Sequence, residues 1–155
     1  MESRREEAMK NFRQGYNCTQ AVVLAYCDLL GADRNQLLKM SQSFGGGMGR
    51  MRQVCGAVSG MFMVAGMLTG SPDPDNRESK RNNYDAVQKL AAAFEKRNGS
   101  IICSQLLGLE GKNSSVSPEY RTGIEPEPRN EQYYKKRPCL KLIGDACDVL
   151  AEIFD

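Results

Sequence analysis

Six cysteines and no histidine in 155 residues bound the chemistry this chain can carry. Without imidazole there is no Ser-His-Asp or Cys-His nucleophilic machinery, no histidine-ligated zinc, iron or haem, and no histidine pH switch. What remains is chemistry run on thiols, carboxylates, amines, phenols or a cofactor, with sulfur the obvious candidate. No C-x-x-C pair occurs, which argues against a zinc ribbon, a ferredoxin-type run and a thioredoxin motif. Any shared sulfur site must be assembled by tertiary structure.

The elements that would position these thiols read as helical nearly throughout. Charged residues 3–13 predict a first helix with Ala8 and Phe12 on one face, ended by Gly15. Asn17 is a good N-cap for a helix over 18–30, with Cys18, Ala21, Val22, Ala25 and Leu29 inward and Gly31 as its stop. Asp33 caps a shorter helix to about residue 44, followed by the glycine loop Gly45-Gly46-Gly47-Met48-Gly49. The uncharged stretch over 53–68 predicts a central, fully buried helix, too diluted by glycine to span a membrane. After a proline loop, a long amphipathic helix over 77–97 carries Tyr84, Val87, Leu90, Ala91 and Phe94 in one stripe. Ser100 can cap a short helix over 101–107, residues 108–129 read as a long surface loop, and a last helix covers 138–154. Its inward stripe is Leu142, Ala146, Val149, Leu150 and Ile153. With no repeat and no linker, the expectation is one all-α domain over 1–155, an irregular helical bundle around a glycine-containing central helix.

On this layout Cys18, Cys55, Cys103 and Cys139 each fall at a helix N-terminus, where free N–H groups and the positive dipole end favour a thiolate. Cys27 and Cys147 fall in mid-helix and read as small buried hydrophobes. Taken singly, the other four could be the same.

The segment Cys55-Gly56-Ala57-Val58-Ser59-Gly60, with Cys18 upstream and Cys103 and Cys139 downstream, resembles the family of redox-active proteins named for a C…GCAxxG…C…C pattern. Asn17-Cys18-Thr19-Gln20-Ala21 and the glycine-rich approach are also similar to that family. The resemblance implies a small helical protein whose four defining cysteines are Cys18, Cys55, Cys103 and Cys139. It also implies redox activity, an oxidoreductase or transporter as partner, and an iron–sulfur cluster as an alternative use of the thiols. In physical terms Cys55 gains the helix dipole, Gly56 leaves its sulfur open, and Gly60 admits a neighbouring helix or a ligand. Arg50 and Arg52 could stabilise an anionic thiolate or cluster, or be ordinary surface charge.

Three functions follow. The first is thiol–disulfide or electron-transfer chemistry with Cys55 as the most reactive thiol and no resolving partner singled out. The second is an all-cysteine iron–sulfur or zinc site on the same four residues, with Gly56, Gly60, Arg50 and Arg52 around the cofactor. The third is a helical adaptor, for which the methionines of the middle of the chain offer an adaptable surface, although core filling explains them better. Twenty-one Lys and Arg against nineteen Asp and Glu argue against a nucleic-acid binder. Lys135-Lys136-Arg137 reads as a solvated face. A charged start with no apolar signal core after it points to the cytoplasm, where thiols stay reduced. The small-residue central helix makes a homodimer an open option.

Overall fold

The Asn17 side chain accepts the Gln20 amide while the Gln20 side chain takes the Asn17 N–H. This reciprocal capping box starts helix α2 (Cys18–Ala25) where the sequence predicts it. The computed structural model describes residues 1–108 and 123–155. Before α2 lies α1 (Arg5–Arg13), and after it come α3 (Cys27–Leu30), α4 (Arg34–Gln42), the glycine turn α5 (Gly45–Met48) and α6 (Gly56–Thr69). The chain continues with α7 (Arg77–Asn98), α8 (Cys103–Leu106), α9 (Glu131–Lys136) and α10 (Cys139–Ile153). Among the described residues there is no strand, and Val54 and Ile102 form an isolated antiparallel bridge.

The result is a single all-helical bundle around α6. Helix α6 packs on α2, α7 and α10, while α1 closes the far side against α2 and α10. Its glycines make the closest of these contacts possible. A Cβ on Gly60 would lie 2.9 Å from the Val22 Cβ and 3.0 Å from the Thr19 carbonyl oxygen. The Thr19 hydroxyl in turn donates to the Gly56 carbonyl at 2.9 Å, a buried bond from the α2 side chain to the α6 backbone. Helix α6 is not buried along its whole length: Met67 and Leu68 emerge at its C-terminal end.

The predicted helix over 18–30 is broken. Arg4 reaches from the start of α1 to donate to the Ala25 carbonyl at 2.9 Å, and its guanidinium lies 5.4 Å from the Tyr26 ring centre. The turn there buries Tyr26 completely and leaves Leu29 46% exposed, so Leu29 leaves the inward stripe. Cys27 therefore begins the short α3 instead of lying in mid-helix, and its thiol donates to the Ala32 carbonyl at 3.3 Å. Helix α7 meets the core through Ala86, Leu90 and Phe94, whereas Tyr84 is 60% exposed because the first half of this helix runs past the core. Helix α9, capped by Asn130, lies where the sequence reading placed none. Of the predicted loop over 108–129, residues 109–122 fall outside the described residues, and 123–129 form no helix. No helix among the described residues is long and apolar enough to cross a membrane.

Candidate functional site

Four helix starts bring their first residues to one cavity. Cys18 is the first residue of α2, Cys55 the N-cap of α6, Cys103 the first residue of α8 and Cys139 the first residue of α10. All four line a cavity of about 360 Å³, and all six cysteines of the chain are free thiols. Cys27 and Cys147 do not line it. Cys147 is buried in α10 with its thiol against the Tyr26 hydroxyl.

The backbone explains how residues far apart in sequence meet here. On either side of the Val54–Ile102 bridge, the Cys55 amide donates to Ile101 at 2.8 Å and the Cys103 amide to Gln53 at 2.6 Å. The Ser104 amide adds a bond to Arg52 at 3.2 Å. This short pairing carries the Arg52 guanidinium over Cys103, where Nη1 donates to Sγ at 3.8 Å. The glycine turn before it has positive φ at Gly46, Gly47, Met48, Gly49, Arg50 and Arg52. At Gly47 nothing larger fits, since a Cβ would lie 2.7 Å from both the Cys103 Cβ and the Arg52 Cα. Left-handed backbone at Met48, Arg50 and Arg52 costs each of them roughly 1–2 kcal/mol. Strain of this kind collects where a fold over-determines a site.

Helix α9 and the segment before it supply the opposite wall. Arg129 donates to the carbonyls of Phe12 at 2.7 Å and Tyr16 at 3.0 Å, with its guanidinium 3.9 Å from the Phe12 ring centre and 5.3 Å from that of Tyr133. Arg137 pairs with Glu127, and its side chain is only 8% exposed. It is therefore not part of a solvated basic face. Arg50 lines the cavity and donates to the carbonyls of Gly123, at 2.5 Å, and Glu125. Gly56 also lines the cavity and would clash through a Cβ with Thr19 and Cys18, while Gly60 serves the α2–α6 contact and does not line it.

The thiols differ in their charge environment. Cys139 is lowered to about 7 by the nearby Cys18 thiol, helped by Arg137, by the Tyr133 hydroxyl and by Arg129, which together outweigh burial. The same contact with Cys139, together with burial, holds Cys18 well above the ordinary thiol range. Burial also raises the Tyr133 phenol, so it stays protonated beside Cys139. Burial pushes Cys55 up to about 12, although the amides of Val58 and Ala57 oppose it. Cys103 is raised by burial as well, with Arg52 opposing. A helix N-terminus offers at most about 2 kcal/mol to an anion, whereas burying an unpaired charge costs several. The dipole alone therefore does not acidify Cys55. Cys139 differs because the Cys18 thiol, two arginines and a phenol favour its anion.

Sequence reasoning brought Cys18, Cys55, Cys103, Cys139, Gly56, Arg50 and Arg52 to this region and missed Arg129, Tyr133 and Arg137. The local signal for the last two was Asn130-Glu131, an N-cap and an acidic first turn in front of a six-residue helix. Among the described residues no group of three or more His, Cys, Asp or Glu side chains is gathered tightly enough to hold a metal ion.

A family model described as "Putative redox-active protein (C_GCAxxG_C_C)" matches residues 16–153, which include all four cavity cysteines. The chain reads Cys55-Gly56 where the pattern's name writes Gly-Cys. Comparisons with curated proteins and with solved structures find no match.

Proposed function

The chain belongs to this redox-active family, and from that premise we propose that its working group is the Cys18–Cys139 pair, cycling between dithiol and disulfide. What supports this most is that Cys18 and Cys139, the first residues of α2 and α10, line one cavity, where the nearness of each thiol to the other favours the Cys139 anion and keeps Cys18 protonated. Thiol–disulfide exchange needs that division: the thiolate attacks, and its neighbour follows as resolving thiol. The Cys139 thiolate attacks one sulfur of an oxidised disulfide, forming a mixed disulfide and expelling a thiolate. Cys18 then loses its proton and attacks Cys139 Sγ, closing the Cys18–Cys139 disulfide and expelling the second thiolate. Two electrons pass from the protein to the oxidant. The resemblance favours an oxidoreductase partner as the source of the electrons that return. Cys55 and Cys103 stay protonated beside the pair.

Serine variants test this reading. Oxidation of the full chain is expected to consume two thiols reversibly, and either Cys18→Ser or Cys139→Ser should abolish the loss. Cys27→Ser, outside the cavity, should leave it intact. Reversible pairing that survives both cavity variants would refute the assignment.

A second reading uses the same four thiols to hold an iron–sulfur cluster or a zinc ion. It is favoured by four cysteines from four helix starts lining one cavity, and it requires them to draw together on loading, since no three of them are gathered tightly enough as the described residues stand. All-thiolate donors suit either group chemically. Cys18, Cys55, Cys103 and Cys139 would be the ligands, and a cluster would supply one-electron transfer. Iron and zinc content with visible absorption of anaerobically prepared protein distinguishes the two readings.

A further inference from the structure

Burial of the thiols sets a condition on any macromolecular partner. Cys55, Cys103 and Cys139 are each no more than 8% exposed. A disulfide or dithiol carried by a folded protein reaches sulfur at that depth only if a wall of the cavity moves.

The walls are not held alike. The starts of α6 and α8 are tied backbone to backbone, Cys55 to Ile101 and Cys103 to Gln53. The start of α2 carries its capping box, and α10 runs into the core through Leu142, Ile143, Ala146 and Leu150. Residues 123–137 are different. They supply Ile124, Pro126, Glu127, Arg129, Tyr133 and Arg137 to the cavity lining. None of them belongs to the hydrophobic core, and Tyr133 and Tyr134 only rest against its edge. Among the described residues no backbone–backbone hydrogen bond joins this segment to the rest of the bundle.

Side chains hold it instead. Arg129 donates to the Phe12 and Tyr16 carbonyls at the end of α1, at 2.7 and 3.0 Å, with its guanidinium 3.9 Å from the Phe12 ring centre. The Tyr133 and Tyr134 rings meet Phe12 at 6.3 and 6.0 Å between centres. Arg50 reaches from the glycine turn to the Gly123 and Glu125 carbonyls. The Arg137–Glu127 pair lies inside the segment and ties it to itself. Arg137 then leaves α9 in extended backbone and Pro138 begins α10, so the two residues form a joint. A wall without a core residue or a backbone tie opens at lower cost than the helices around it.

We infer that residues 123–137 are a movable wall over the thiol pair and that Arg129 is its latch. When its bonds to the end of α1 release, the wall swings about Arg137–Pro138 and opens Cys139 to a partner protein. The partner's exchange rests on the Cys18–Cys139 pair proposed above, whereas the wall and its latch stand on the packing. Arg129 is a positioning residue here: latched, it keeps Tyr133 and Arg137 in the cavity wall beside Cys139.

The test follows Cys139 in the reduced full chain with two reagents, N-ethylmaleimide and a maleimide linked to a folded carrier protein. Each rate is divided by that of a free cysteine peptide, and the carrier-to-small ratio cancels the thiolate fraction. The unaltered chain should favour the small reagent. Arg129→Gln should raise the ratio by about tenfold or more, because the latch is two hydrogen bonds from a charged donor. Arg129→Lys keeps the charge and loses the planar fork, so it should raise the ratio as well. Amide hydrogen exchange of the unaltered chain needs no variant: α9 should exchange through an opening that leaves α6 and α10 protected. The same protection in the variants shows that they fold. A ratio unchanged in both folded variants, a ratio raised by Gln and not by Lys, or α9 amides that exchange only together with those of α6 would overturn the inference. A ratio that rises as expected in a chain that forms no Cys18–Cys139 disulfide would remove the pair and leave the wall and latch standing.

Discussion

At Cys139 a thiol is made acidic by what surrounds it more than by the helix it begins. The Cys18 thiol, Arg137, the Tyr133 hydroxyl and Arg129 favour its anion, and burial opposes them. Its alkylation rate should therefore rise as pH rises through about 7 and then level off, because the thiolate is the reacting form. Cys55, pushed up to about 12, should stay unmodified across that range. Tyr133→Phe removes a donor and Arg137→Gln a cation, so each should move the Cys139 midpoint upward. Mass spectrometry of iodoacetamide-treated protein over a pH series reads all of this at once. A midpoint that stays put in both variants would mean that neither group holds the thiolate. None of this ordering was legible in the sequence. Dipole position is a local property, and all four cysteines share it. Burial and the approach of Arg137 and Tyr133 are tertiary, and they separate Cys139 from Cys55.

Helix starts are the element that gathers the site, and they were legible because their signals are local. Asn17 and Asp33 each accept an amide three residues on, as the sequence predicts, and Asn76 and Asn130 do the same where no cap was read. Asn17→Ala should cost about 1 kcal/mol in denaturant unfolding. It should also loosen the turn that presents Cys18, since the Asn17 amide donates to Gln42 at 3.0 Å. The α2–α6 contact makes a sharper contrast. Gly60→Ala meets Val22 and the Thr19 backbone, and overpacking of that kind costs roughly 1–3 kcal/mol. Gly66→Ala, on the same helix, meets nothing within 4 Å and should stabilise by about 0.5–1 kcal/mol. Equal effects would contradict the packing assigned to α6. The break at Tyr26 was not legible, because its cause is Arg4, which lies on the other side of a helix boundary. Helix α9 was obscured for a related reason: six residues are too few to show a stripe, and its Lys135-Lys136-Arg137 end reads as surface when taken alone.

On the scale of the whole molecule, the bundle converts four residues scattered from Cys18 to Cys139 into one lining. The order of cysteines along the chain carried the family, and the model matching residues 16–153 covers most of the fold that gathers them. The missing histidine has a consequence at this scale too. A thiol pair without imidazole must find its charge control elsewhere, and the groups that would supply it are Tyr133 of α9 and the arginines on either side of that helix, Arg129 and Arg137. The account stands on one link, between Cys18 and Cys139. The measurement that tests it most directly is disulfide mapping of the full chain, equilibrated in thiol–disulfide buffers across a range of potentials and trapped by alkylation before digestion. The account predicts one reversible two-electron transition whose product is the Cys18–Cys139 disulfide, with Cys55 and Cys103 recovered as alkylated thiols. A reversible disulfide between other cysteines, or no reversible disulfide at any potential, would contradict it.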